Sequence, residues 1–89
     1  MKLIAAAVKF CEPESRYPQI MTATRHADVY FKMHLHSIKY DKATAVEGFL
    51  TDDNRFVDRH EAKAIAIAAN QLIVPIEKTF PALYSEDVW

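Results

Sequence analysis

The chain has a single glycine, Gly48, and a single cysteine, Cys11. One cysteine excludes an intramolecular disulfide, so the framework of a small disulfide-stapled fold is ruled out. One glycine excludes every glycine-rich phosphate loop, since those loops need several close backbone approaches to the anion. An excess of either charge is missing too, because eleven Lys and Arg stand against twelve Asp and Glu, net −1. That balance argues against binding of a DNA or RNA polymer, which calls for a basic surface. Long apolar runs are also absent. The opening Met1-Lys-Leu-Ile-Ala-Ala-Ala-Val8 imitates a signal peptide but stops at Lys9, too short for an export signal or a membrane span. The expectation is a soluble cytoplasmic protein.

What remains is globular. The composition is 51% hydrophobic and 26% charged over 89 residues, enough for one domain with a modest core. Residues 2–11 read as a strand, Glu12 to Pro18 as a turn, and Gln19 to Thr24 as the returning strand of a hairpin. Thr24 is placed to cap a helix from about Arg25 to Ile38. Its apolar stripe comprises Ala27, Tyr30, Phe31, His34, Leu35 and Ile38, widened by Val29, Met33 and Tyr40. A second hairpin follows, Phe49-Leu50 and Arg55-Phe-Val57 around the turn Thr51-Asp-Asp-Asn54. Asp58 with Glu61 makes a capping box for a helix from about Arg59 to Asn70, with Ala62, Ile65, Ala66, Ala69 and Leu72 on one face. Pro75 and Pro81 break the chain before an extended tail, 83–89, that is apolar enough to need docking. The predicted fold class is α+β: a small antiparallel sheet of two hairpins with two helices packed on it.

Catalytic and metal-binding patterns are missing. His34 and His36 are two apart on a helix and point away from each other, which leaves His34 as a core histidine on the apolar face. His26 and His60 have no partner at a recognised ligand spacing. No serine stands in a nucleophile-elbow sequence, and Cys11 has no activating neighbourhood. The expectation is therefore no enzyme, no metal and no cofactor.

The densest chemistry lies in Gly48-Phe-Leu-Thr-Asp-Asp-Asn-Arg-Phe-Val-Asp-Arg-His-Glu-Ala62. Two Phe and two Arg surround a turn and a helix start, where backbone N–H groups favour anions. Arg55 and Arg59 read equally as phosphate contacts and as partners of Asp58, Glu61 or the acidic tail. Phe49 and Phe56 read as a cross-strand pair or as a stacking surface for a base.

Gly48-Phe-Leu-Thr51, Arg55-Phe-Val-Asp-Arg59, Glu61-Ala62, Ile65-Ala66, Gln71, Leu83-Tyr-Ser-Glu-Asp87 and Trp89, with Arg25-His26 after the first hairpin, together resemble the first described family of Thoeris anti-defence proteins. The resemblance covers most of the chain and implies a phage-encoded homo-oligomer, a dimer or higher, in the cytoplasm of the infected bacterial host. Such a protein sequesters a cyclic ADP-ribose isomer without cleaving it, and some members also hold cyclic oligonucleotides of CBASS immunity at a separate site. The implied ligand residues are Phe49, Thr51, Asn54, Arg55, Asp58 and Arg59, with Arg25 or His26 from the first helix. Phe49 would stack on adenine, and Asp58 and Arg59 would meet ribose or pyrophosphate. The alternative from another class is a protein-binding inhibitor of a host defence enzyme.

Overall fold

The computed structural model describes residues 1–79 and 82–89. Four strands, β1 (Leu3–Phe10), β2 (Gln19–Ala23), β3 (Val46–Thr51) and β4 (Phe56–Asp58), form one antiparallel sheet in the order β2-β1-β3-β4. Two helices, α1 (His26–Leu35) and α2 (Arg59–Ala68), follow the second and fourth strands. This is the α+β architecture of two hairpins and two helices that the patterning predicts. Short 3₁₀ turns occupy Ile76–Thr79 and Ser85–Asp87. Pro81, one of the two expected breaks, lies outside the described residues.

Strand alternation sets the layers. Ala6 stands opposite Phe49, and Phe49 opposite Val57, so all three share a face. On that face Ala6, Val8 and Phe10 pack against Val29 and Met33 of α1. Phe49 and Val57 pack against Ala62 and Ala66 of α2, with Leu3, Leu83 and Val88. Both helices thus cover one side of the sheet. The small alanines let α2 approach the sheet closely. Gln71, just past α2, pairs with both backbone groups of Leu3 at 2.8 Å and so anchors the start of β1.

Three local expectations need correcting. Phe49 and Phe56 are not cross-strand partners, because Leu50 pairs with Phe56 and Phe49 with Val57. That register puts the two rings on opposite faces. The turn causes it: Asn54 adopts φ 67 and donates to the Thr51 carbonyl at 2.9 Å, which fixes the count. Helix α1 is capped in position by Arg25 rather than Thr24 and stops at Leu35, with Ser37 at φ 53. Its buried residues are His26, Val29 and Met33, while Phe31 and Leu35 are exposed at 60% and 62%. The inward face is therefore rotated from the predicted stripe, and the core histidine is His26, with His34 exposed. The wide stripe left the choice of face open, and the sheet decided it.

Asp58 caps α2 as its position predicts, accepting from the N–H groups of His60 and Glu61 at 2.9 and 2.8 Å. Glu61, the other half of the expected box, has its carboxylate 3.9 Å from Arg55 Nη2.

Gly48 sits mid-sheet between Ala7 and Asp58. A Cβ there would overlap the Val57 carbonyl oxygen and approach Phe56 Cζ to 2.6 Å. Glycine is required by the space, since its φ is not in the left-handed region. Gly48→Ala is expected to cost about 2–3 kcal/mol by forcing the β3–β4 backbones apart, read as a lower midpoint in urea unfolding.

Candidate functional site

The expected site residues divide into three groups. Arg25, His26, Phe49 and Arg59 converge beneath the segment 83–89. Thr51, Asn54 and Arg55 lie in the β3–β4 turn. Asp58 faces the other side of the sheet.

The convergent group is built from the two helix starts and β3. His26 is buried, its Nε2 2.7 Å from the Gly48 carbonyl oxygen, which ties α1 to β3. Its ring meets Phe49 edge to face at 5.1 Å between centroids, and Trp89 meets Phe49 likewise at 6.0 Å. Phe49 is fully buried, so it offers no face to an adenine, and it is a core residue. Arg25 donates from Nη2 to the Trp89 carbonyl at 2.7 Å and lies 3.8 Å from Glu86. The Trp89 indole N–H donates to the Thr24 carbonyl. Leu83, Ser85 and Val88 are buried, so this segment is part of the core as well as the wall of the site.

The Arg59 side chain is held by two partners. Its Nη2 donates to Glu47, and its guanidinium lies 4.6 Å from the centre of the Tyr84 ring. Its Nε is buried and, among the described residues, has no hydrogen-bond partner. Glu47 also accepts from the Tyr30 hydroxyl at 2.9 Å, so it bridges α1 and α2. Tyr30 is pushed up to about 12 by burial, then by its hydrogen bond to Glu47 and the carboxylate's charge. The sequence placed Tyr30 only in the apolar stripe of the first helix and gave no signal for Glu47.

The turn group looks inward on itself. Thr51 is buried, and its hydroxyl donates to Asp53 and accepts from the Arg55 N–H at 3.1 Å. The hydrogen bond from Thr51 holds the exposed Asp53 carboxyl below its ordinary value. Arg55 is 3.8 Å from Asp53 as well as near Glu61, which is the structural pairing of the two readings. Asn54 is exposed and supplies the left-handed residue of the turn.

Asp58 lines an open cleft of about 410 Å³ with Lys9, Cys11, Thr44, Phe56 and Glu61, on the face that the helices leave bare. Lys9 Nζ sits 5.8 Å from the Phe56 ring centre. The exposed aromatic of the hairpin is thus Phe56, on the opposite face from Phe49. Among the described residues no three His, Cys, Asp or Glu side chains could hold a metal ion, and no helix is long and apolar enough to cross a membrane.

The fold and this site define a small α+β domain in which two guanidiniums and several aromatic rings gather at the helix starts. A family model described as the phage T4 y16D protein matches residues 2–89, and the chain belongs to that family, which makes it a phage protein. No curated protein and no solved structure matches the chain.

Two outcomes test the network. Arg59→Ala is expected to lower stability by about 1–2 kcal/mol, because it removes the Glu47 contact and the Tyr84 stack, measured by thermal unfolding. Tyr30 keeps its proton in the folded state above the ordinary value of 10.0, while the unfolded chain loses it there. Native protein then holds more protons between pH 10 and about 12, so its stability is full below that window and falls as pH rises through it. Tyr30→Phe should flatten that part of a stability–pH curve.

Proposed function

We propose that this phage protein binds and sequesters a cyclic nucleotide immune signal of the cyclic ADP-ribose type in the cytoplasm of the infected bacterium, without cleaving it. The observation that carries the reading is that Arg25 and Arg59, from the starts of two different helices, both contact the segment 83–89, Arg59 against the Tyr84 ring, with Arg59 Nε buried and, among the described residues, unpartnered. A buried donor without a partner calls for an acceptor. Guanidiniums give planar forks for phosphate oxygens, and Tyr84, 44% exposed, offers a ring for a base where Phe49 cannot. The resemblance to Thoeris anti-defence proteins rests on the same residues and supplies the ligand class.

The reading needs no catalytic group. An enzyme acting on the signal would need a general base, for which His26 or His60 would be the first candidates; His26 has its Nε2 2.7 Å from the Gly48 carbonyl oxygen. Sequestration requires tight binding instead. Lowering a micromolar signal below its effector threshold takes a Kd near nanomolar, about −12 kcal/mol. Burial between protomers would supply part of that. The bare sheet face carries a row of Ile20, Lys9 and Val46 across three strands, with Ile20 and Val46 exposed at 46% and 45%. Such a surface fits self-association. A CBASS cyclic oligonucleotide is the other signal within the reading.

A second reading, inhibition of a host defence enzyme by direct contact, is favoured by the exposed pair Phe31 and Leu35 on the outer side of α1.

Titration calorimetry against cyclic ADP-ribose isomers and cyclic oligonucleotides, followed by chromatography of the recovered ligand, separates the readings. Tight binding with intact ligand is expected, and Arg25→Ala should weaken it at least about tenfold. Altered ligand would mean an enzyme. Absence of binding would turn the search to a protein partner. Sedimentation should show a dimer or larger species that Ile20→Glu with Val46→Glu reduces to a monomer.

A further inference from the structure

The sheet face that the helices leave bare is low in its middle and charged on its flanks. Register places Thr22, Ala7, Gly48 and Asp58 in one row across the four strands, and Ile20, Lys9 and Val46 in the next. Ala7 and Gly48 barely rise above the backbone, so a second flat surface can approach the centre closely. Lys9 stands on β1, to one side of β3. Asp58 stands on β4, to the other side, and Glu61 lines the same cleft of about 410 Å³.

These charges are loosely engaged within the chain. The Lys9 ammonium rests 5.8 Å from the Phe56 ring centre and, among the described residues, is in no ion pair. Glu61 is 3.9 Å from Arg55 Nη2, and both side chains are about half exposed.

Strand order gives this charge pattern its meaning. In the order β2-β1-β3-β4, β1 and β4 are the two neighbours of β3. A two-fold axis laid along β3, between two facing sheets, therefore sets β1 of one copy over β4 of the other. It also preserves the rows. Gly48 pairs with Asp58, so the row of Lys9 and Val46 continues on the β4 side just past Asp58. That is the first turn of α2, which carries Glu61. Lys9 of each copy thus falls over Glu61 of the other, and Val46 meets its own counterpart on the axis. Packed sheets lie about 10 Å apart, a gap that side chains from the two faces fill.

We propose that the bare face pairs with the same face of a second copy about this axis, each Lys9 leaving its own Phe56 ring to meet Glu61 across the interface; this rests on the self-association read above. A surface whose charges change sign across an in-plane two-fold axis is complementary to itself. A partner of one dominant charge would set either Lys9 or the carboxylates against a like charge, which costs affinity. Ile20 and Val46 supply the exposed apolar contact, and the crossed charges fix its register. Each cleft is then closed by residues of the other copy.

Sedimentation velocity on the full chain tests the pairing. The wild type is expected to be a dimer. Lys9→Glu and Glu61→Lys, each alone, set like charges together at both junctions and should weaken the dimer at least about tenfold. Mixing the two variants in equal amounts should restore it, because both junctions of the mixed dimer again hold opposite charges. Circular dichroism checks that each variant is folded. Where Glu61→Lys fails to fold, Glu61→Gln keeps the side chain's shape and should still weaken the dimer. A wild-type dimer that charge changes at Lys9 and Glu61 leave unaltered, or a mixture of folded variants that stays monomeric, would overturn the pairing and leave self-association standing. A wild-type monomer would overturn both. Calorimetry with nucleotides decides the ligand reading separately.

Discussion

The close approach at Gly48 is the constraint on which the rest of the structure depends. Its missing side chain lets the Phe56 ring lie against the sheet on one face and lets β4 sit at pairing distance on the other side of β3. Its carbonyl oxygen is the partner of His26, so the same residue fixes where α1 begins relative to the sheet. Through His26 and its neighbour Arg25, that position determines where Trp89 and Ser85 can dock. Phe49, the next residue, is sealed in the core by His26 and Trp89. One residue without a Cβ thus joins hairpin, helix and C-terminal segment.

Electrostatics add a second layer to this arrangement. Glu47, on the other side of Gly48, stands between the helices and meets both Tyr30 and Arg59. An Arg at the first position of a helix is opposed by the helix dipole, so Arg59 needs an offsetting anion. Glu47 supplies it, and Tyr84 shields the guanidinium face. The offset is incomplete, because Nε has no partner among the described residues.

The sequence made much of the fold legible. Apolar alternation and turn residues located both hairpins, and Asp58 announced α2 because an Asp before an alanine-rich run satisfies helix N–H groups locally. The site was legible only in part. Arg25, His26 and Arg59 were recognised as residues of interest, and they do come together. Their partners were hidden because Glu47, Tyr30 and Tyr84 carry no local pattern that ties them to an arginine. Phe49 and Phe56 were misread as a pair since a single residue in the turn count moves a ring to the opposite face.

What the sequence determined by itself was the set of elements and their order, the absence of glycine-loop and disulfide chemistry, and the need to dock the final segment. These follow from short-range physics: alternation, capping, turn preference and composition. The tertiary structure alone decided which face of α1 turns inward, which phenylalanine is buried, and which carboxylate meets which guanidinium. Those choices depend on register and on contacts between residues distant in the chain, where the free energy of packing against a sheet outweighs any local preference.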